Sequence, residues 1–225
     1  MILTLKNFLS AEDCDHMVSV LNALEWQGDK NDEPEYNELI KKHRQLGAED
    51  SPLVNKYSSA LTEKVSSYAP ITRATQQQAI KPFQFNCYKD GDSYERHSDA
   101  AFMGSTPRPM RTDYTLGVFL TDNYEGGDLV LEYPSGLVER IRGTKGSLIC
   151  YNCGVLHRVE PVTQGERIMG IGWIESKFRN QEEREIAVSV ETLYDSLRTE
   201  KGLDHPHTQE LNSIYHNLCR RWQNT

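Results

Sequence analysis

From residue 83 to residue 174 the chain is a succession of short runs rich in β-branched and aromatic residues, each closed by a turn signal. That pattern leaves little room for helix and predicts an antiparallel sandwich or barrel. Residues 83–88 read as a strand closed by Lys89-Asp90-Gly91-Asp92. Further strands are expected at 94–99, 113–121, 129–133, 137–141, 147–151, 157–161 and 167–174. Pro134-Ser135-Gly136 marks a hairpin, and Gly126-Gly127 reads as a turn rather than a phosphate-binding loop.

The flanks carry a different period. Ser10 is placed to cap a helix with Asp13 as its partner, and Cys14, Met17, Val18, Leu21 and Leu24 form an apolar stripe. A second helix is predicted over 51–68, with Leu53, Val54, Tyr57, Leu61 and Val65 inward and Pro70 ending it. The polar stretch 28–52 reads as a solvated loop. Past Ser176, Ile186, Val190, Leu193 and Leu197 make one stripe and Leu211, Ile214, Tyr215, Leu218 and Trp222 another. They predict two helices packed as a hairpin, on the barrel or against a second copy of the chain. The expected fold is mainly β with flanking α: a double-stranded β-helix, or cupin-like jelly roll, with N-terminal helices and a C-terminal helical extension. The expected division is one domain over 1–178, its core at 80–178, and an extension over 179–225.

A net charge of -8 on 225 residues argues against a nucleic-acid surface as the main purpose. Five cysteines, an odd number in a chain too long to need staples, fit a reducing compartment. The early Lys6 and the lack of an apolar run argue against a secretory signal. No stretch approaches the ~20 apolar residues of a membrane span. A cytoplasmic protein is expected.

Within the β-rich region, Tyr94-Glu95-Arg96-His97-Ser98-Asp99 stands out. On a strand, His97 and Asp99 would share one face roughly 7 Å apart, close enough to grip one ion. His157 begins a later strand. Two histidines and a carboxylate on one face of a metal, with other positions open, point to non-haem Fe(II) oxygen chemistry. Arg167 lies ten residues beyond His157. With a turn over 161–165, the two are expected on adjacent antiparallel strands. A guanidinium there can take a carboxylate through two parallel hydrogen bonds and anchor the far end of a metal-chelating cosubstrate. Two other signals carry less. Cys150 and Cys153 would face opposite sides of a strand, and His205 and His207 lack a carboxylate at strand spacing.

The ordered set Tyr88, Tyr94, His97, Asp99, His157 and Arg167 resembles the iron- and 2-oxoglutarate-dependent dioxygenases of the prolyl-4-hydroxylase superfamily. The segments Tyr124-Glu125-Gly126-Gly127-Asp128-Leu129, Leu156-His157-Arg158-Val159-Glu160-Pro161, Trp173-Ile174-Glu175-Ser176 and Tyr215-His216-Asn217-Leu218 bring it closest to the PKHD-type hydroxylases. The resemblance implies Fe(II) on His97, Asp99 and His157, the distal carboxylate of 2-oxoglutarate on Arg167, and Tyr88 lining the cosubstrate pocket. It implies hydroxylation of a C–H bond of a peptidyl, amino-acid-like or other small substrate, with O2 consumed and succinate and CO2 released, and ascorbate as an accessory. Where related enzymes place a further tyrosine near the cosubstrate this chain has Phe119, with Thr115 as a substitute. Arg96 and Arg111 are candidates for the pocket mouth, and the stretches 100–110 and 28–52 for selectivity. A homodimer through the C-terminal helices is expected. The competing reading is a cupin-like metal-binding sensor or scaffold without turnover.

Overall fold

The computed structural model describes residues 2–28, 40–104 and 108–223. Two antiparallel sheets face each other. The larger orders β1 (Ile2–Leu5), β12 (Leu148–Asn152), β8 (Tyr114–Phe119), β15 (Arg167–Ser176), β4 (Gln77–Tyr88) and β3 (Arg44–Leu46). The smaller orders β11 (Val138–Ile141), β10 (Leu129–Glu132), β13 (Leu156–Val159), β5 (Ser93–His97) and β2 (Lys41–Lys42). Two short ribbons complete the strands: β6 (Phe102–Met103) with β7 (Met110–Arg111), and β9 (Glu125–Gly126) with β14 (Val162–Gln164). The jelly roll with helical flanks is as the sequence predicts.

The two-residue period of a strand divides the larger sheet into a structural and a chemical face. Phe83, Phe85, Cys87, Leu116, Val118, Leu148, Cys150 and Ile168 share one core with Cys14 and Leu21 of α1 (Ala11–Leu21) and Val54, Leu61 and Val65 of α2 (Pro52–Ser67). The alternate residues Asn86, Tyr88, Thr115, Tyr151, Arg167 and Trp173 line a cavity instead. Because both faces are covered, every residue of β8 is buried.

The helix ends follow local chemistry. The Ser10 hydroxyl accepts the Asp13 N–H at 3.0 Å and donates to its carboxylate at 2.7 Å, as expected of a cap and its partner. Leu53 departs from the expected inward face and is 46 % exposed, while Val54, Tyr57, Leu61 and Val65 are buried. Leu53 lies in the first turn, a step off the stripe that repeats at 54, 57, 61 and 65. Pro70 does more than end this helix. It enters the first turn of α3 (Ala69–Thr75), where its missing N–H leaves nothing unpaired.

Two readings are corrected. Residues 29–39 of the expected solvated loop lie outside the described residues, but Lys41, Lys42 and residues 44–46 are edge strands. Lys41 pairs with Tyr94 in the smaller sheet and Arg44 with Cys87 in the larger. Edge pairing uses main-chain groups, so a polar composition does not forbid it. The second correction concerns α4 (Gln181–Lys201), which packs on α5 (Pro206–Trp222). Its buried face carries Arg184 and Ala187, whereas Ile186 and Leu193 of the expected stripe are 49 % and 56 % exposed. Arg184 sets the rotation: its guanidinium donates to the Phe178 carbonyl at 2.9 Å and lies 4.8 Å from the Tyr114 ring centroid. No helix among the described residues is long and apolar enough to cross a membrane.

Candidate active site

His97 closes β5 and pairs across the ladder with His157 on β13. Asp99 lies just past the end of β5, so the chain rather than a continuing strand carries its carboxylate back to the two rings. Asp99 Oδ1 is 3.9 Å from His97 Nε2 and 3.8 Å from His157 Nε2. One ligand atom from each of the three lies within 4.8 Å of the others, a spacing that one cation can bridge.

The surroundings orient each donor. His97 Nδ1 is 2.7 Å from the Glu95 carbonyl and His157 Nδ1 is 2.9 Å from the Val155 carbonyl. A backbone carbonyl only accepts, so both rings keep their proton on Nδ1 and turn the Nε2 lone pair to the centre. Asp99 Oδ2 accepts from the Thr115 hydroxyl and from Trp173 Nε1, the latter at 3.0 Å. Its Oδ1 is left for the centre. Thr115 therefore serves Asp99 and is not the polar substitute expected beside Phe119. Trp173 and Tyr151 carry site contacts that the sequence reading did not assign. The Tyr151 ring stands edge-on to His157 at 5.3 Å, and its only prior signal was its place on the cavity face of a buried strand.

Arg167 does not lie on a strand adjacent to His157. β13 belongs to the smaller sheet and β15 to the larger, so the two residues face each other across the cavity. The reason is β14, whose residues pair with β9 and carry the chain from one sheet to the other. Arg167 is 2 % exposed, its guanidinium 5.1 Å from the Tyr88 ring centroid and 5.8 Å from that of Phe119. Its Nε has no hydrogen-bond partner, and no carboxylate among the described residues pairs with it. A buried cation without a counter-charge costs several kcal/mol. Gly127, at φ +66°, makes room for it: a Cβ there would stand 3.0 Å from Arg167 Cδ.

The cavity between the sheets has a volume of about 630 Å³ and is lined by the triad, Tyr88 and Arg167. Arg96 and Arg111 do not line it. Arg96 Nε donates to Glu132 at 2.6 Å on the outer side, and Arg111 forks onto Asp113 at 2.9 Å and bonds the Ser176 carbonyl at 2.7 Å. The five cysteines are unpaired. Cys150 lies in the core and Cys153 on the site side, 3.1 Å from the Thr115 hydroxyl, and His205 is spent on capping α5.

Electrostatics keep the His97 ring in the neutral form that a metal ligand needs. Burial, reinforced by the neighbouring charge of His157, lowers His97 to about 4 from its ordinary 6.5. His43 is stacked on Tyr88 at 4.5 Å with both ring nitrogens unpartnered. Burial, with Lys41 and Arg167 near, holds it well below the usual histidine range. Burial also pushes the Tyr88 hydroxyl up to about 12, so it stays a donor.

Between pH 6.5 and 4 the unfolded chain protonates a histidine that the folded chain keeps neutral at His97. The metal-free protein is therefore fully stable above that window and loses stability as pH falls through it, by up to about 1.4 kcal/mol per pH unit for each such ring. Urea denaturation across the window should show the midpoint fall, and His43→Gln should make the fall shallower. A flat profile in the wild type would contradict neutral burial.

The donor set suits a hard to borderline divalent ion, and the unpaired Arg167 suits the free end of a diacid. Residues 83–175 match the model of the 2OG-Fe(II) oxygenase superfamily, the class of iron enzymes that use 2-oxoglutarate and O2. Residues 193–224 match the PKHD-type hydroxylase C-terminal domain. PKHD-type hydroxylases of Stutzerimonas stutzeri and Acidovorax ebreus are each 30 % identical over 226 residues, covering 99 % of both chains. That of Teredinibacter turnerae is 32 % identical over 90 % of each chain. The chain belongs to the PKHD-type hydroxylases, which are 2-oxoglutarate-dependent Fe(II) enzymes. Its fold resembles a Pseudomonas putida prolyl-4-hydroxylase, with a TM-score of 0.57 at 18 % identity over 78 % of this chain and 92 % of that one. It also resembles HygX from Streptomyces hygroscopicus, solved with nickel and 2-oxoglutarate, with a TM-score of 0.56 at 14 % identity over 79 % and 84 %.

Proposed function

We propose that this hydroxylase acts on a C–H bond of a peptidyl or amino-acid-like substrate, with His97, Asp99 and His157 holding Fe(II) and Arg167 holding the distal carboxylate of 2-oxoglutarate. When bound, the metal with its cosubstrate and O2 supplies the oxidising chemistry, and succinate and CO2 are the coproducts. The chain's own part is positional. The Glu95 and Val155 carbonyls fix the two imidazoles, Thr115 and Trp173 hold Asp99 to one free oxygen, and Tyr88 with Phe119 screens the Arg167 guanidinium from water. Residues 1–178 form the catalytic unit in this reading, and 179–225 its extension.

One observation carries it: three converging lone pairs on one wall and an unpaired, buried guanidinium on the wall opposite. A sensor that only binds metal has no use for the second. The decisive measurement is succinate formation from 2-oxoglutarate with Fe(II) and O2, with and without added ascorbate as accessory reductant. Release above a metal-free control is expected. None at any cosubstrate concentration would leave the scaffold reading in its place.

A further inference from the structure

The cavity carries a second cation that the triad and Arg167 do not use. Lys81 lies on β4 opposite Trp173, and Tyr88 on the same strand lies opposite Arg167. In unbroken pairing, residue 81 would share the face of Phe83 and Phe85, which point into the helix-covered core. The β4–β15 register shifts between Ile171 and Trp173, and this bulge turns Lys81 to the cavity. Among the described residues its ammonium has no hydrogen bond or ion pair. Lys41, which lines the same cavity, is already engaged with Gln45 at 3.3 Å and lies over the Tyr94 ring at 5.7 Å.

The two β15 partners, Arg167 and Trp173, are six residues apart, about 20 Å along the strand. Trp173 bonds Asp99, so the Lys81 end is the end next to the triad carboxylate. A five-carbon diacid reaching from Arg167 toward the triad would leave Lys81 beyond it. Charge points the same way. Asp99 is the one carboxylate on the cavity wall among the described residues, against Lys41, Lys81 and Arg167. Fe(II) and the 2-oxoglutarate dianion cancel each other, so loading the site leaves the cationic excess in place.

Resting on the oxygenase reading above, we propose that Lys81 is a specificity residue that pairs with a carboxylate of the substrate. The substrate is then an organic acid or a peptide presenting a free carboxylate near the carbon to be hydroxylated.

The test loads the full chain with Mn(II) and 2-oxoglutarate. Amino acids, 2-hydroxy acids and dipeptides are titrated in, each against its C-terminal or primary amide. Binding is read from water-proton relaxation at the metal, and turnover from succinate with Fe(II) in place of Mn(II). In the wild type, acids should bind at least about tenfold more tightly than their amides, the size of one charge-assisted hydrogen bond. Lys81→Met should erase that preference and leave 2-oxoglutarate affinity unchanged, while Lys81→Arg should keep it. Equal binding of acid and amide, a preference that survives in Lys81→Met, or no acid binding at all would overturn the assignment of Lys81 alone. Failure of 2-oxoglutarate to bind the Mn(II)-loaded wild type would overturn the oxygenase reading and this inference together.

Discussion

Asp99→Asn is expected to lower divalent metal affinity by more than about 100-fold, beyond the loss that follows removal of an outer hydrogen-bond partner, and to take succinate formation to background. The change is nearly isosteric, so its effect is electrostatic. Thr115 and Trp173 both donate to Asp99 Oδ2 in the wild type. In the variant these donors select the amide oxygen and turn the –NH2 group toward the two Nε2 atoms. The group facing the ion then has no lone pair to give and carries partial positive charge. Because both donors stay satisfied, the fold should persist. Mn(II) titration with circular dichroism on the same sample separates the two effects. Unchanged metal affinity in a folded variant would remove Asp99 from the centre.

Much of this centre was legible because its signals are local. His97 and Asp99 are two residues apart, and the turn-bounded strand pattern around them survives folding with small shifts at the ends. Their meeting with His157 needed only that β13 lie beside β5. Other parts were not legible, for definite reasons. The turn after His157 looked like a hairpin, which would have put Arg167 on the neighbouring strand. In the fold, β14 pairs with β9 instead and delivers Arg167 to the opposite sheet. Arg167 still lines the same cavity as the triad, although it reaches it from the opposite sheet.

The segment around His43 was hidden for another reason. Its two edge strands are held by main-chain bonds, which leave no mark in composition. The stripe of α4 shows a third limit: apolar periodicity names a face, yet Ile186 and Leu193 stand exposed while Arg184, bonded to the Phe178 carbonyl, is buried. Lys81 is the clearest case. The strand expected from the sequence began only at Phe83; carrying its parity back would put residue 81 on the core face, and a bulge in the β4–β15 pairing reverses that.

Arg167→Met should separate function from stability in a way that a merely structural arginine could not. At 2 % exposure and with no carboxylate partner among the described residues, the guanidinium is desolvated with the faces of Tyr88 and Phe119 in compensation. Replacing an uncompensated buried charge with an apolar side chain of similar length is often neutral or stabilising. Thermal stability of the metal-free variant should therefore hold or rise. Cosubstrate binding should move the other way, since loss of a buried hydrogen-bonded charge partner costs about 2–5 kcal/mol, roughly 30- to several-thousand-fold in the Kd for 2-oxoglutarate. Arg167→Lys keeps the charge but not the planar fork, and should fall between the two. Mn(II) affinity measured without cosubstrate should be unaffected in both, because Arg167 sits on the sheet opposite the two histidines. A variant that loses stability and keeps 2-oxoglutarate affinity would make Arg167 a packing residue, and the cationic end of the cavity would need another owner.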